Sequence, residues 1–387
     1  MIWRNNTLRI SDFLVILALA VFWYGLVPVG GAFWLRRSWR NFRRRFDSLR
    51  LKPVLDYRRY RDLVGEGREF RFTGGFESIT DGHTLWIRSD NLSLPVALHG
   101  AETYVLPMQE GQQFEILEPS EDAPERIRWD RVSSLAEGAK VFVGGALVLR
   151  DERWTFASTK ERPLMVIFYD GPDHSLASRA IRAGRRLNEY WNPITPYALI
   201  AGALVLLYVA VSFLSRPVFR LTALTAFIAV FLPLFPMIPP GLLFTVIYRK
   251  FWWRARVYRA YRDLVRLPLR YLAASEDSCL LPGGECYGMK HYQVLTPDMA
   301  HIPRIIPGEE RVLKEGWYVF GKLDEGGSFP QEPEDSLATY GAVPGKPDKL
   351  AYSFTLRAYT LEILAWLLLL FGIALNTFFI GVIIFLL

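Results

Sequence analysis

The stretch Tyr57-Arg-Arg-Tyr-Arg-Asp-Leu-Val64 returns in the second half of the chain as Tyr258-Arg-Ala-Tyr-Arg-Asp-Leu-Val265. A second pair of similar segments follows, Leu135-Ala-Glu-Gly138-Ala-Lys-Val141-Phe142-Val-Gly144 and Leu313-Lys-Glu-Gly316-Trp-Tyr-Val319-Phe320-Gly321. Apolar runs lie before and after each copy. Such internal repetition indicates that one structural unit occurs twice. The sequence therefore predicts a tandem repeat, in which each half has a membrane helix, a basic segment, a β-domain and a second membrane helix.

Four apolar segments are long enough to cross a bilayer, whose hydrocarbon core requires about 20 helical residues. They are residues 13–35, 196–214, 221–248 and 361–387. The first has no small-residue cleavage site and is followed by an arginine-rich stretch, so we expect a membrane anchor and not a signal peptide. The sequence thus predicts an α+β membrane protein with four transmembrane helices. Proline and glycine interrupt the first and third segments, and the expected helix-break residues are Pro28, Gly30, Pro239, Pro240 and Gly241.

The net charge of +7 is concentrated beside the apolar runs, whereas the distal parts of both halves are acidic. Because membrane proteins keep Lys and Arg on the cytoplasmic side, both β-domains are predicted to lie in the cytoplasm. The membrane that holds the apolar helices is expected to be the inner membrane of a bacterium. A positive end at the membrane favours contact with anionic lipid over nucleic acid. The residues expected to contact lipid are Arg36, Arg37, Arg40, Arg43, Arg44, Arg249, Lys250, Arg254 and Arg256.

A stripe of apolar side chains follows the first membrane segment. Leu35, Trp39, Phe42, Phe46 and Leu49 are spaced by four and three residues, which places them on one face of a helix. That face is expected to pack on the β-domain, on the other repeat or in the headgroup layer. The second half has a matching stripe, which consists of Trp253, Val257, Tyr261 and Leu264.

The segments between the membrane helices have the pattern of β-structure. Many short apolar or alternating runs are separated by Gly, Asp and Pro turns, which predicts a small OB-like β-barrel or sandwich in each half. Residues 107–124 and 326–349 are expected to be long loops, and long loops on a rigid scaffold are usual places for partner binding.

These patterns set the expected boundaries along the chain. The first half comprises a first membrane helix in residues 1–35, a basic juncture helix in 36–66, a β-domain in 67–175, a basic linker helix in 176–195 and a membrane helix in 196–214. The second half comprises a membrane helix in 218–248, a basic juncture helix in 249–272, a β-domain in 273–355 and a membrane helix in 361–387.

The segment Glu310-Arg311-Val312-Leu313-Lys314-Glu315-Gly316-Trp-Tyr-Val319-Phe320-Gly321-Lys-Leu323 resembles the strand motif of the GIDE-type domain. That domain lies beside a membrane in a mitochondrial transmembrane ubiquitin ligase family and its prokaryotic relatives. Residues 134–144 match the same motif more loosely. The resemblance implies a duplicated domain of this type placed against the membrane. It implies no ligase activity, because the Cys cluster of a RING domain is missing from the sequence.

Motifs that carry chemistry are weak in this chain. The spacing Gly316–Lys322 is that of a phosphate-binding loop, but Leu323 replaces the required Ser or Thr and the bulky middle residues predict a strand. Cys279 and Cys286 are expected to be free thiols in a reducing cytoplasm. A zinc site with His291 and His301 is the alternative, although its spacing is none of the usual ones. No catalytic residue, metal or cofactor is therefore expected.

Three classes of function remain. The first is a non-enzymatic membrane scaffold, whose two β-domains bind a protein partner or organise anionic lipid. The second is a transporter or channel subunit, since parallel repeats and broken helices are typical of transporters. No apolar segment has an ionisable residue in its interior, which disfavours coupled transport. A membrane-anchored enzyme is the least supported class, and a homo-oligomer is compatible with all three.

Overall fold

The computed structural model describes residues 10–386, except 64, 66, 90–91, 107–123, 129–138, 151, 186–188, 267–271, 273–277, 281–285, 297–298, 300–301, 303, 307–314, 325 and 330–340. The chain divides into two compact units. We call the first the membrane unit; it comprises Met1–Asn41, Asn188–Ala255 and Ala358–Leu387. We call the second the β-unit; it comprises Phe42–Leu187 and Arg256–Arg357.

The described helices are α1 (Ile10–Val21), α2 (Val27–Leu49), α3 (Tyr57–Arg61), α4 (Asp173–Arg182), α5 (Thr195–Leu214), α6 (Arg220–Val230), α7 (Gly241–Val265) and α8 (Pro347–Leu386). The described strands are β1 (Glu69–Thr80), β2 (Thr84–Ser89), β3 (Leu92–Ala97), β4 (Glu102–Val105), β5 (Glu125–Ile127), β6 (Lys140–Arg150), β7 (Arg153–Ala157), β8 (Met165–Tyr169), β9 (Ser278–Leu280), β10 (Cys286–Tyr292), β11 (Trp317–Leu323) and β12 (Gly341–Pro344).

Within the described residues, three helices are long and apolar enough to cross a membrane, namely Ser11–Leu49, Thr195–Leu214 and Pro347–Ile383. The protein is therefore a membrane protein by the length and composition of its helices. A fourth apolar helix, Arg220–Val230, is shorter.

Residues 221–248, predicted as one membrane segment interrupted at Pro239, Pro240 and Gly241, form two α-helices with a 3₁₀ segment between them. Helix α6 ends at Val230, a 3₁₀ segment covers Leu232–Met237, and α7 begins only at Gly241. Four prolines, at positions 233, 236, 239 and 240, lie in this interval. Each proline removes a backbone N–H that an α-helix needs and clashes with the preceding turn. The prolines therefore divide this apolar segment into separate helices.

The first half of the β-unit contains a closed five-stranded barrel. Strands β1, β2, β3, β7 and β6 follow one another around the ring, and β6 closes it by pairing with β1. All neighbours are antiparallel except β3 and β7, which are parallel at Val96 and Phe156. The barrel interior is filled by buried apolar side chains, including Phe72, Ile87 and Val143. Strands β8, β4 and β5 extend the sheet from the other edge of β6.

The second half of the β-unit contains a four-stranded antiparallel sheet in the order β12, β11, β10, β9. The repeat motifs lie on β6 and β11, and both are central strands. Strand β6 has three antiparallel neighbours, whereas β11 has two among the described strands. The halves also differ in closure, because the described strands of the first form a barrel and those of the second an open sheet. Residues 134–138 and 312–314 of the motifs lie outside the described part. The predicted loop over 326–349 is wrong in its later part, where β12 and the start of α8 lie.

The apolar stripe of α2 packs on the barrel domain. The ring of Phe42 lies 4.6 Å from that of Tyr104, and the ring of Phe46 lies 5.4 Å from that of Phe142. A Cβ at Gly144 would come within 2.9 Å of Leu49, so the helix lies directly against β6 at a residue without a side chain. Of the three surfaces expected for this stripe, the structure places its last three residues on the β-domain.

Candidate functional site

Three groups of residues could carry function: two distorted helix segments in the membrane unit, a helix that joins the two halves of the β-unit, and exposed cations beside the apolar helices. At the first distortion, a π-helical turn over Phe22–Leu26 precedes α2. Pro28 has no N–H to donate to the carbonyl of Tyr24, four residues earlier. The hydroxyl of Tyr190 donates to that carbonyl at 2.7 Å, and Asn192 Nδ2 donates to the carbonyl of Pro28 at 2.9 Å. Side chains from before α5 therefore satisfy the distorted backbone.

The two glycines of this segment differ in their surroundings. A Cβ at Gly31 would lie 2.8 Å from Cγ of the buried Asn192, whereas a Cβ at Gly30 would meet no atom within 4 Å. The helix remains continuous through Pro28 and Gly30, which were expected to break it. Gly31 is therefore the glycine that the contact with Asn192 requires.

The second distortion is a complete break, and it contains Pro239, Pro240 and Gly241. The peptide bond between the two prolines is cis. Asn376 of α8 is 97% buried and donates from Nδ2 to the carbonyls of Phe235 at 2.7 Å and Ile238 at 2.8 Å. A Cβ at Gly241 would lie 2.8 Å from the carbonyl oxygen of Phe235. A buried asparagine and a glycine without room for a side chain thus occur at both distortions.

The polar side chains at the two distorted segments donate hydrogen bonds to backbone carbonyls. Thr245 Oγ1 also donates to the carbonyl of Pro236, at 2.7 Å. Irregular backbone at membrane depth requires such internal partners, since lipid offers none. The structure therefore assigns Asn192 and Asn376 a role in holding the chain, and their amide donors are already used.

The break separates two groups of packed helices. Helices α1, α5 and α6 share a cluster that includes Ile16, Leu206 and Ala226. Helices α7 and α8 pack through Phe244 on Phe371, with ring centroids 5.1 Å apart, and through Tyr248 and Trp252 on Trp366. The 3₁₀ segment leads from the first group to the second.

Helix α4 joins the two halves of the β-unit. Its Asp173 accepts a hydrogen bond from Lys140 of β6 at 2.8 Å, which ties the helix to the first half. Its Ile181 is buried in the core of the second half, in one cluster with Leu264 and Phe320. Just beyond the helix, Arg185 forms an ion pair with Asp263 of α7. Helix α4 and the residues just after it therefore have a charged contact with the first half, and both an apolar and a charged contact with the second.

Asp263 is the electrostatic centre of this bridge. Burial alone would raise its pKa, but the positive charges of Arg185 and Arg262 and their hydrogen bonds outweigh burial and lower the pKa to about 2. The matching residue of the first repeat, Asp62, pairs with Arg61, and its side chain is 71% exposed. The same sequence motif thus has a partly buried carboxylate that pairs with a distant arginine in one copy, and an exposed carboxylate in the other.

The residues expected to contact lipid fall into three groups by exposure. Arg36 is partly buried and pairs with Glu189, and Arg43 is also partly buried. Arg256 is buried, so its charge does not lie on the surface of the β-unit. The remaining residues are exposed; they are Arg37, Arg40, Arg44, Arg249, Lys250 and Arg254.

The residues considered for metal or phosphate binding have structural surroundings. Cys279 and Cys286 are free thiols on neighbouring strands, and among the described residues no three His, Cys, Asp or Glu side chains are grouped to hold a metal. His301 lies outside the described residues. His291 contacts the carbonyl of Glu315 at 2.9 Å. The prediction of a strand after Gly316 is confirmed by β11.

Sequence reasoning missed Asn192, Thr245 and the bridge through α4. An asparagine next to a proline at the start of an apolar run was the available signal for Asn192. The predicted binding loop at 107–124 lies outside the described residues except for its last residue. Comparisons with family models, curated proteins and solved structures find no match for this chain. The GIDE resemblance therefore stays a prediction.

Proposed function

We propose that the protein is a non-enzymatic integral membrane scaffold, whose β-unit presents one fixed surface to a protein partner. The β-domains would be cytoplasmic and the membrane the inner membrane of a bacterium, on the strength of the Arg and Lys residues beside the apolar helices. The closed five-stranded barrel, with its one parallel pair, supports an OB-like first domain. The second half, with its open sheet, would be a diverged repeat of this domain. The GIDE resemblance would then apply to both domains.

The bridge through α4 is the observation that carries this proposal. Ile181 lies in the core of the second half, and Arg185 pairs with the partly buried Asp263. Transporters with repeats work by rocking one repeat against the other. Such rocking would have to separate this partly buried ion pair and an apolar contact, and both oppose the movement. A joined β-unit suits a scaffold better.

We propose further that the third crossing is made by two half-helices. Helix α6 has 11 residues and is about 16 Å long, and residues 241–248 of α7 add about 12 Å. Together they approach the hydrocarbon thickness of about 30 Å. With this crossing the chain spans the membrane four times, and the β-domains of both halves lie on one side.

A transporter or channel subunit is the alternative, because the break at residues 231–240 is of the kind that forms substrate sites. The hydrogen bonds of Asn376 and Thr245 weigh against it, since they occupy the polar groups that a substrate would need. No described apolar helix offers a pair of ionisable groups at its centre for coupling.

Two measurements on the full-length protein separate these functions. The first is flux of ions and small solutes into vesicles that contain the purified protein; the scaffold predicts no flux above that of empty vesicles. The second is photo-crosslinking in living cells from a crosslinking residue at Arg88 or Val294, both exposed in the β-unit. The scaffold predicts a discrete adduct from at least one of them. The matched control is Tyr208, which is 75% exposed on α5 and should crosslink only to lipid.

The Asp263→Asn variant tests whether the crosslink to a partner depends on the ion pair between Arg185 and Asp263. If the β-unit must be joined to present its surface, this variant should lose the adduct while the protein still inserts in the membrane. Solute flux, or an adduct that persists unchanged when the bridge is lost, would contradict the proposal.

A further inference from the structure

The exposed face of α2 changes character along the helix. Phe33 and Trp34 are each 65% exposed, so this part of the helix presents large apolar groups outward. Arg37 and Arg40 follow on the exposed side after one turn. An exposed surface that passes from aromatic to basic within one turn matches the boundary between hydrocarbon and headgroups.

Helix α7 shows the same change in the same direction. Leu243 and Val246 are exposed, at 61% and 46%. Arg249, Lys250 and Arg254 then follow, also exposed. In both helices the first exposed cation comes three positions after the last exposed apolar residue. On each helix, the change from exposed apolar to exposed basic residues therefore indicates where the membrane surface lies.

Within the described part of the chain these exposed cations form no salt bridge, in contrast to Arg36. Arg36 is next to Arg37 in the sequence, but its guanidinium is paired with Glu189. This pairing leaves the exposed cations as the groups that can meet negative charge from outside the protein. The complementary group at this depth in a bilayer is the phosphate of a lipid headgroup.

We propose that Arg37 and Arg40 on α2, and Arg249, Lys250 and Arg254 on α7, bind the headgroups of anionic phospholipid in one leaflet. The ligand of these cations is a lipid and not a soluble phosphate. On each helix the cations follow directly after an exposed apolar surface, which acyl chains must cover. This inference depends only on membrane insertion and stands apart from the proposed protein partner.

The experiment measures lipid preference around the full-length protein in vesicles of phosphatidylcholine. Spin-labelled phosphatidylglycerol and spin-labelled phosphatidylcholine compete for the protein surface, and their relative association constant is the preference. A surface cation contributes about 1 kcal/mol to attraction of anionic lipid, which corresponds to about a five-fold change in association. Two variants, Arg37→Gln with Arg40→Gln and Arg249→Gln with Lys250→Gln, each remove two cations.

Each variant is expected to lower the preference for phosphatidylglycerol at least five-fold. The matched control is Arg150→Gln with Arg153→Gln, which removes two exposed cations from the β6–β7 hairpin and should leave the preference unchanged. An unchanged preference in both test variants, or an equal fall in the control, would overturn the proposal. So would full displacement of the labelled lipid by soluble glycerophosphate. If one variant does not fold, the variant on the other helix and the loss of wild-type preference at high salt decide the result.

Discussion

Asn376 is predicted to stabilise the membrane unit by holding the broken third segment against α8. Its Nδ2 donates to the carbonyls of Phe235 and Ile238 at 2.7 and 2.8 Å. Replacement by Leu keeps the approximate size of the side chain and removes both donors. Both carbonyls also accept a backbone N–H, so the loss is that of two hydrogen bonds and not of all partners.

The magnitude follows from these two bonds. A net hydrogen bond contributes about 0.5–1.5 kcal/mol in a protein, and side-chain bonds between membrane helices average about 0.6 kcal/mol. Asn376→Leu should therefore lower the free energy of unfolding by roughly 1–3 kcal/mol. The assay is unfolding of the purified protein in mixed micelles, followed by circular dichroism as denaturing detergent is titrated.

The neighbouring residue provides the control. Thr377 is exposed, and its hydroxyl donates to the carbonyl of Ile373 in its own helix at 2.9 Å. Thr377→Val should change the free energy of unfolding by less than about 0.5 kcal/mol, as expected for a site without tertiary contacts. Equal stability of the two variants would refute the role assigned to Asn376.

The other predictions concern glycine packing and the bridge. Gly31→Ala should destabilise the membrane unit because the added Cβ would collide with Asn192. Gly30→Ala, whose Cβ would have no atom within 4 Å, should be neutral or stabilise the helix by up to about 1 kcal/mol. Thermal unfolding of both variants in detergent measures the difference. Asp263→Asn should lower stability at neutral pH by roughly 2–3 kcal/mol, since a pKa lowered from 3.8 to about 2 corresponds to that energy, and Asp62→Asn should have little effect. The pKa of Asp263 is lower in the folded than in the unfolded protein. Its contribution to the free energy of unfolding is therefore present above about pH 4 and is lost as the pH falls towards 2. The stabilities of the wild type and of Asp263→Asn should converge in acid. A constant difference down to pH 2 would argue against the ion pair.

Features that depend on neighbouring residues could be predicted from the sequence. The spacing of Phe42, Phe46 and Leu49 identified a helix face, and the structure shows that face packed on the barrel. The strand after Gly316 also followed from its bulky apolar residues. The prolines at positions 239 and 240 indicated an interruption of the third apolar segment, but its composition could not show that α6 ends as early as Val230.

Features that depend on distant residues could not be predicted. Asn192 contacts Pro28 from 164 positions away, and Asn376 contacts Phe235 from 141 positions away. Asp62 and Asp263 have nearly the same local sequence, yet their side chains are 71% and 17% exposed, and only Asp263 is approached by Arg185 from another part of the described chain. Local pattern gives the type of element, and tertiary packing decides which polar group is engaged.

A distance measurement between the two halves of the β-unit tests the scaffold most directly. Spin labels are placed at Arg153→Cys and Val294→Cys, both exposed, after the native Cys279 and Cys286 have been replaced by serine. Pulsed dipolar spectroscopy then records the distance distribution in detergent, and in vesicles with and without a membrane potential. A joined β-unit predicts one narrow distribution in all three conditions, and a broader one when Asp263→Asn is added. Two populations whose ratio changes with the membrane potential would contradict the scaffold and favour a transporter.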